Sequence, residues 1–139
     1  MKIMKSILLI DDEKGIRESL SVMLQIEGYE VTPCEDAIKA GELIDAGNYY
    51  DFIVCDLRMP RMSGMDFLRE IRKKNSDSIF IMITAYGNSE TSIEAVKNGA
   101  DDYINKPVKT EELILRMKMA EENDNENYFS ALKNYKERI

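Results

Sequence analysis

The sequence contains no histidine and only two cysteines, and basic residues are in the minority. Without histidine, two cysteines cannot complete a zinc site of the usual kind, so we expect Cys34 and Cys55 to be buried free thiols. The 19 Lys and Arg against 26 Asp and Glu leave a net charge of −7, which argues against direct binding to nucleic acid. Long apolar runs are also missing: the one behind Lys2 and Lys5 stops at Asp11, too short for a signal sequence or a membrane span. We therefore expect a cytoplasmic protein.

Short apolar runs alternate with segments of helical period along most of the chain. With 139 residues and 44% hydrophobic residues, the chain can bury one core of ordinary size. Runs rich in Ile and Val that alternate with helices are typical of a parallel sheet covered on both faces, an α/β fold. The expected strands lie near residues 6–10, 30–34, 51–55, 79–83 and 101–104. At this length the usual doubly wound strand order is 2-1-3-4-5, in which strands one and three flank the switch point.

Helix periodicity and capping residues place the connecting helices. The first helix has a three-to-four spacing at Ile16, Leu20, Met23, Leu24 and Glu27, and Gly28 suits its end. The other expected markers are Asp36 as the cap of the second helix, Gly64 at the start of the third, Asn88 or Ser89 as the cap of the fourth and Gly99 at its end. The last helix begins near Lys109 and Thr110.

Chemically active side chains follow four of the predicted strands. Asp11 and Asp12 follow the first, Asp56 the third and Thr84 the fourth, and Lys106 comes just after the last. Since the carboxyl ends of parallel strands share one edge of a sheet, these groups are expected to converge. Carboxylates this close repel one another and hold a proton or a cation, and Mg²⁺ suits an all-oxygen site. Taken singly, each residue could instead be a solvated turn, a helix cap or a surface ion pair.

Asp56 is the best candidate nucleophile of this group. A carboxylate can attack phosphorus in line and form an acyl phosphate once a metal neutralises the incoming charge. The charge that develops on the phosphoryl oxygens would then be shared by Mg²⁺, the Lys106 ammonium and the Thr84 hydroxyl. Pro107 restricts Lys106 to extended geometry and aims its ammonium. Tyr103, on the last strand, could turn inward when Thr84 moves toward a phosphoryl group, although it could equally be a half-buried strand tyrosine.

These residues resemble the receiver domain of two-component response regulators, over roughly residues 5–120. The motifs that carry the resemblance are Asp56-Leu57-Arg58-Met59-Pro60, Met62-Ser63-Gly64-Met65-Asp66, Thr84-Ala85-Tyr86-Gly87, Gly99-Ala100 and Lys106-Pro107. Together they look most like the motifs in receivers of the NtrC transcription-activator type. The resemblance implies a flavodoxin-like (βα)5 fold. It further implies Asp56 as the phosphorylated residue, Asp12 as a direct Mg²⁺ ligand, Asp11 as a ligand through water and the Arg58 carbonyl as a further ligand. Thr84 would bind the phosphoryl group, Lys106 would pair with it, and Tyr103 would be the aromatic switch partner.

The resemblance also implies partners and a domain organisation. The phosphodonor would be a histidine kinase, and it must be a separate protein because this chain has no histidine. Output would pass through helix four, strand five and helix five, a face that could also form a homodimer.

We expect a receiver domain over residues 1–120 and a C-terminal helical extension or linker over 121–139, which begins with a polar stretch. In that extension the apolar residues at Tyr128, Leu132, Tyr135 and Ile139 could fold back, pair two protomers or begin a linker. No ATPase module or helix-turn-helix segment follows, so the chain is either a single-domain regulator or part of a longer one.

Two rival functions share parts of this pattern. A phosphohydrolase of the haloacid dehalogenase type would use an aspartyl phosphate in turnover, but it needs an acid two residues after the nucleophile, where this chain has Arg58. A flavin-binding module would need neutral backbone donors after strand one, where Asp11 and Asp12 would repel a flavin phosphate. We therefore expect a signalling switch that catalyses only its own phosphotransfer and slow dephosphorylation.

Overall fold

The computed structural model describes residues 4–74 and 76–122. Within these ranges five strands alternate with five helices. The strands are β1 (Ser6–Ile10), β2 (Glu30–Cys34), β3 (Phe52–Asp56), β4 (Ile79–Thr84) and β5 (Asp102–Asn105). The helices are α1 (Lys14–Ile26), α2 (Ala37–Asp45), α3 (Gly64–Lys73), α4 (Ser89–Lys97) and α5 (Thr110–Glu122). The C-terminal segment with Tyr128, Leu132, Tyr135 and Ile139 lies outside the described residues.

All neighbouring strands are parallel, and their order is β2-β1-β3-β4-β5, which confirms the predicted topology. Alternate residues of each central strand point to opposite faces. On β1, Ile7 and Leu9 join the core cluster under α1 and α5, whereas Leu8 and Ile10 join the one under α2, α3 and α4. Both faces are therefore covered, which explains why the three central strands, β1, β3 and β4, consist mainly of apolar residues rather than alternating with polar ones.

Three predicted strands differ from the structure by one residue at one or both ends. The third strand runs Phe52–Asp56 rather than 51–55, the fourth reaches Thr84 rather than 83, and the fifth runs Asp102–Asn105 rather than 101–104. The backbone ladder continues past the apolar residues, since Asp56 pairs with Ile83 and Thr84 with Asn105. Apolar content marks where side chains are buried, whereas a strand ends where its backbone pairing ends.

The helix caps agree with the sequence. The side chain of Asp36 accepts a hydrogen bond from the backbone of Lys39 at the start of α2, and Asn88 caps α4. Gly64 opens α3 after a Ser63 cap. Gly28 and Gly99 follow α1 and α4 with positive φ values of 97° and 103°, which glycine adopts without a Cβ clash.

The predicted stripe of the first helix is wrong at two positions. Leu20 and Leu24 are buried, but Met23 is 43% exposed and Glu27 is an exposed capping residue, while Ser21 is buried. The stripe that faces the sheet is narrower than the apolar spacing suggests. Both cysteines are free and buried, as expected.

Candidate functional site

Two adjacent strands bring the acidic side chains together. Ile10 pairs with Cys55, so Asp11 and Asp56 leave β1 and β3 side by side at the carboxyl edge of the sheet. Carboxylate oxygens of Asp11, Asp12 and Asp56 all lie within 4.8 Å of one another. Asp11 is fully buried and Asp56 is 5% exposed, which rules out solvated turns for these two, whereas Asp12 is exposed.

Lys106 reaches into this cluster from the loop after β5. Its Nζ lies 3.0 Å from Asp11 Oδ2 and 3.1 Å from Asp56 Oδ2, and 3.6 Å from Glu13 Oε1. Its backbone N–H donates to the carbonyl of Thr84, and its peptide bond to Pro107 is cis. The side chain of Lys106 is only 9% exposed, so one buried cation forms ion pairs with two buried carboxylates.

The charges at the site alter proton affinities. Burial and the neighbouring charge of Asp11 raise the pKa of Asp56 to about 6, even though Lys106 and the backbone N–H of Arg58 favour its ionised form. Burial alone would lower the pKa of Lys106, but the carboxylates of Asp11 and Asp56 outweigh it and raise the pKa. Near neutral pH the site therefore holds an ionised but poorly stabilised Asp56 beside a firmly protonated lysine.

One oxygen of the site still lacks a hydrogen-bond partner. Among the described residues, no group donates a well-aligned hydrogen bond to the buried Oδ2 of Asp11, although Lys106 Nζ lies within ion-pair distance. The other oxygen of Asp11 accepts the backbone N–H of Glu13 at 2.9 Å. A buried, partly satisfied carboxylate in an all-oxygen cluster fits a hard divalent cation, and Mg²⁺ is the common choice for such donors.

The two residues expected to act as a switch occupy different environments. Thr84 is fully buried at the end of β4, and its Oγ1 accepts the backbone N–H of Tyr86 at 3.1 Å. Tyr103 is half-buried, and its hydroxyl lies 2.7 Å from Oγ1 of Thr91 in the first turn of α4. The tyrosine is thus tied to α4 in this structure.

Arg58 lies beside the site and contributes to it through its backbone and its side chain. Its backbone N–H favours the ionised form of the Asp56 carboxylate and so lowers the pKa of Asp56, and its guanidinium carbon lies 5.0 Å from the centre of the Tyr86 ring, a cation–π contact. The expected role of its carbonyl as a metal ligand stays a prediction.

Sequence reasoning missed three contributors to the site and its surroundings. Arg17 donates to the carbonyl of Asp11 at 2.7 Å, Glu13 faces Lys106, and Thr91 contacts Tyr103. A signal existed for the first two, because Glu13 is the N-cap and Arg17 lies in the first turn of the helix that directly follows the acidic pair. Nothing local marks Thr91, whose partner lies twelve residues away.

Comparisons with known proteins agree with this geometry. A family model described as "Response regulator receiver domain" matches residues 7–118. The response regulator MprA of Mycobacterium sp. (strain KMS) is 38% identical over 112 residues, which cover 81% of this chain and 48% of MprA. The chain thus spans about half the length of the curated relatives it matches.

Solved structures give the same result at the level of the fold. The crystal structure of FixJ-N is 32% identical, has a TM-score of 0.78, and the match covers 88% of this chain and 97% of FixJ-N. The solution structure of the beryllofluoride-activated NtrC4 receiver domain dimer is 35% identical with a TM-score of 0.78, over 84% of this chain and 96% of that one.

Proposed function

This chain belongs to the receiver domain family of two-component response regulators, and on that premise we propose that Asp56 accepts the phosphoryl group. Receivers of this family are phosphoacceptor switches rather than metabolic enzymes. The observation that carries the assignment is the Lys106 ammonium, which lies within 3.1 Å of both Asp11 and Asp56 at the switch point of the sheet.

The transfer step uses the ionised carboxylate of Asp56. One oxygen attacks phosphorus and forms the O–P bond, while the P–N bond of a phosphohistidine on a separate histidine kinase breaks and the imidazole leaves with that electron pair. Asp11, Asp12 and the Arg58 carbonyl, together with Asp56, would hold Mg²⁺, which when bound neutralises negative charge between the carboxylates and the incoming phosphoryl group.

Lys106 and Thr84 stabilise the phosphorylated state in this proposal. Lys106 keeps its proton beside the carboxylates, so it can pair with a phosphoryl oxygen once the carboxylate charge of Asp56 has been consumed in the acyl phosphate. Thr84 lies at the end of the neighbouring strand, and its hydroxyl would turn from the backbone of Tyr86 to a phosphoryl oxygen.

The movement of Thr84 would be coupled to Tyr103 and α4. Inward rotation of Tyr103 would break its contact with Thr91, which also takes part in the capping box of α4. A shift from mostly inactive to mostly active needs about 5 kcal/mol of differential stabilisation.

The output face would then be α4, β5 and α5. The NtrC4 receiver neighbour was solved as a dimer, which supports a homodimer through this face or through the C-terminal segment.

Several broader features belong to the same proposal. Arg58 occupies the position where a phosphohydrolase needs an acid, which supports slow self-dephosphorylation rather than turnover of a substrate. We take residues 1–120 as the receiver unit, although α5 continues to Glu122, and 121–139 as a C-terminal helical extension or linker. Among the described helices, none has the length and apolar character needed to cross a membrane. A cytoplasmic location stays a prediction.

The proposal is tested by the intact mass of the protein after incubation with acetyl phosphate and Mg²⁺. We expect a gain of one phosphoryl group that disappears in Asp56→Asn and after addition of EDTA. Asp66→Asn, which neutralises an exposed aspartate on α3, is the matched control and should be labelled like the wild type. Labelling of the Asp56→Asn variant at the wild-type level would refute the assignment.

A further inference from the structure

The loop between β3 and α3 forms one rim of the site and is pinned at both ends. The backbone N–H of Leu57 donates to the carbonyl of Ile83 at 2.8 Å, and the N–H of Gly64 donates to the carbonyl of Leu57 at 2.8 Å. These two hydrogen bonds form a narrow neck at the base of the loop. Position 64 in this neck requires glycine, because a Cβ there would lie 2.3 Å from the carbonyl oxygen of Asp56. Residues 58–63 therefore project as a loop from a narrow base, and Arg58 is the first of them.

The tip of this loop is a tight turn centred on Arg61. The N–H of Met62 donates to the carbonyl of Pro60 at 2.8 Å, and Arg61 between them has a φ of 71°. Arg61 is the non-glycine residue with positive φ within residues 4–74 and 76–122. A side chain in this region costs on the order of 1–3 kcal/mol, so the surrounding structure must hold it there.

An ion pair supplies that hold. The guanidinium of Arg61 donates to Oδ2 of Asp36, whose side chain is 6% exposed, while that of Arg61 is 65% exposed. Oδ1 of Asp36 accepts the backbone N–H of Lys39 at 2.8 Å, and the next residue, Ala37, is buried in the core. The tip of the loop is thus fastened to the N-cap residue of α2, 25 residues earlier in the chain.

We propose that Arg61 is a positioning residue for the metal site. The inference rests on the proposed function, in which the backbone of Arg58 contributes a ligand. Arg58 lies between the pinned neck at Leu57 and the fastened tip at Arg61, and its backbone N–H favours the ionised form of the Asp56 carboxylate. With both sides of Arg58 held, its backbone is pre-organised beside the acidic cluster. Release of the tip would leave Arg58 held on one side only.

The sign of the effect separates this role from simple electrostatics. As a cation on the rim of a cation site, Arg61 on its own would weaken Mg²⁺ binding, and its removal would strengthen binding. A positioning role predicts the opposite. Partners that orient a metal ligand typically contribute ten- to a hundred-fold in affinity, so we expect Arg61→Ala to bind Mg²⁺ about tenfold more weakly.

Two further variants test the turn and the specificity of the ion pair. Arg61→Gly loses the ion pair but adopts the positive φ freely, so its loss of affinity should be smaller than that of Arg61→Ala. Lys74→Ala breaks an exposed ion pair between α3 and α2, the one from Lys74 to Asp45 at their C-terminal ends, and should leave the affinity unchanged.

The experiment is a Mg²⁺ titration of the full chain followed by the backbone amide NMR signals of Asp12 and Arg58. The proposal is supported if Arg61→Ala binds Mg²⁺ most weakly, Arg61→Gly binds it with intermediate affinity, and Lys74→Ala binds it as tightly as the wild type. Unchanged or tighter binding in Arg61→Ala overturns it. If Arg61→Ala does not fold, Arg61→Gly decides alone, and wild-type affinity in that variant overturns the proposal. No Mg²⁺ binding by the wild type would instead refute the proposed function.

Discussion

Neutralising the candidate phosphoacceptor should stabilise the metal-free protein. Ionised Asp56 lies beside Asp11 with 5% of its surface exposed, and its pKa is raised to about 6 from an ordinary value of 3.8. A group with a raised folded-state pKa contributes its full stability below the unfolded pKa and loses it as the pH rises through the folded one. Between about pH 4 and pH 6, Asp56 therefore becomes progressively destabilising.

The size of this effect follows from the shift in pKa. A difference of about two units corresponds to roughly 3 kcal/mol at neutral pH, at 1.36 kcal/mol per unit. This is an upper limit for Asp56→Asn, because the neutral amide loses the charge-assisted contact between Asp56 and Lys106. Lys106 still has Asp11 as a charged partner in the variant. We expect the variant to be about 1–3 kcal/mol more stable than the wild type at pH 7.5, and the difference to fall below about 1 kcal/mol at pH 4.5.

The assay is urea unfolding followed by circular dichroism, in EDTA, at both pH values. Since all other groups titrate in both proteins, the difference between the two free energies of unfolding isolates Asp56. Asp12→Asn, at the exposed member of the cluster, should change stability far less. A variant that is less stable at pH 7.5, or a gain that is equal at both pH values, would refute the reasoning.

Two structural predictions concern residues of α3. Gly64→Ala should cost about 2 kcal/mol or more in urea unfolding, because its Cβ would meet the Asp56 carbonyl at 2.3 Å and the backbone must shift; wild-type stability would contradict the observed neck. Arg72→Met should cost about 2–4 kcal/mol by the same measurement, since the guanidinium donates to three backbone carbonyls that would lose their partner. Lys74→Met, which removes only an exposed ion pair, should cost less than about 1 kcal/mol, and equal losses in the two variants would refute the argument.

The sequence by itself determined the order of elements and the residues that could share the site. The three central strands, β1, β3 and β4, are each marked by a short apolar run rich in Ile, Val or Leu, and the caps Asp36 and Asn88 mark two helix starts, because burial and capping are local preferences. Once the elements are assigned, a parallel sheet places Asp11 and Asp56 at one edge, since its carboxyl ends coincide.

Only the tertiary structure decided which of those groups touch and how the site is held. The Arg61–Asp36 pair joins residues 25 apart, and the contact between Thr91 and Tyr103 joins a helix to a strand. Neither pair shows in any local pattern, because side-chain contacts between separate elements depend on the position and angle of each element after packing. The exposure of Met23 has the same origin: periodicity shows that a face is apolar, but the neighbouring elements determine how much of it is covered.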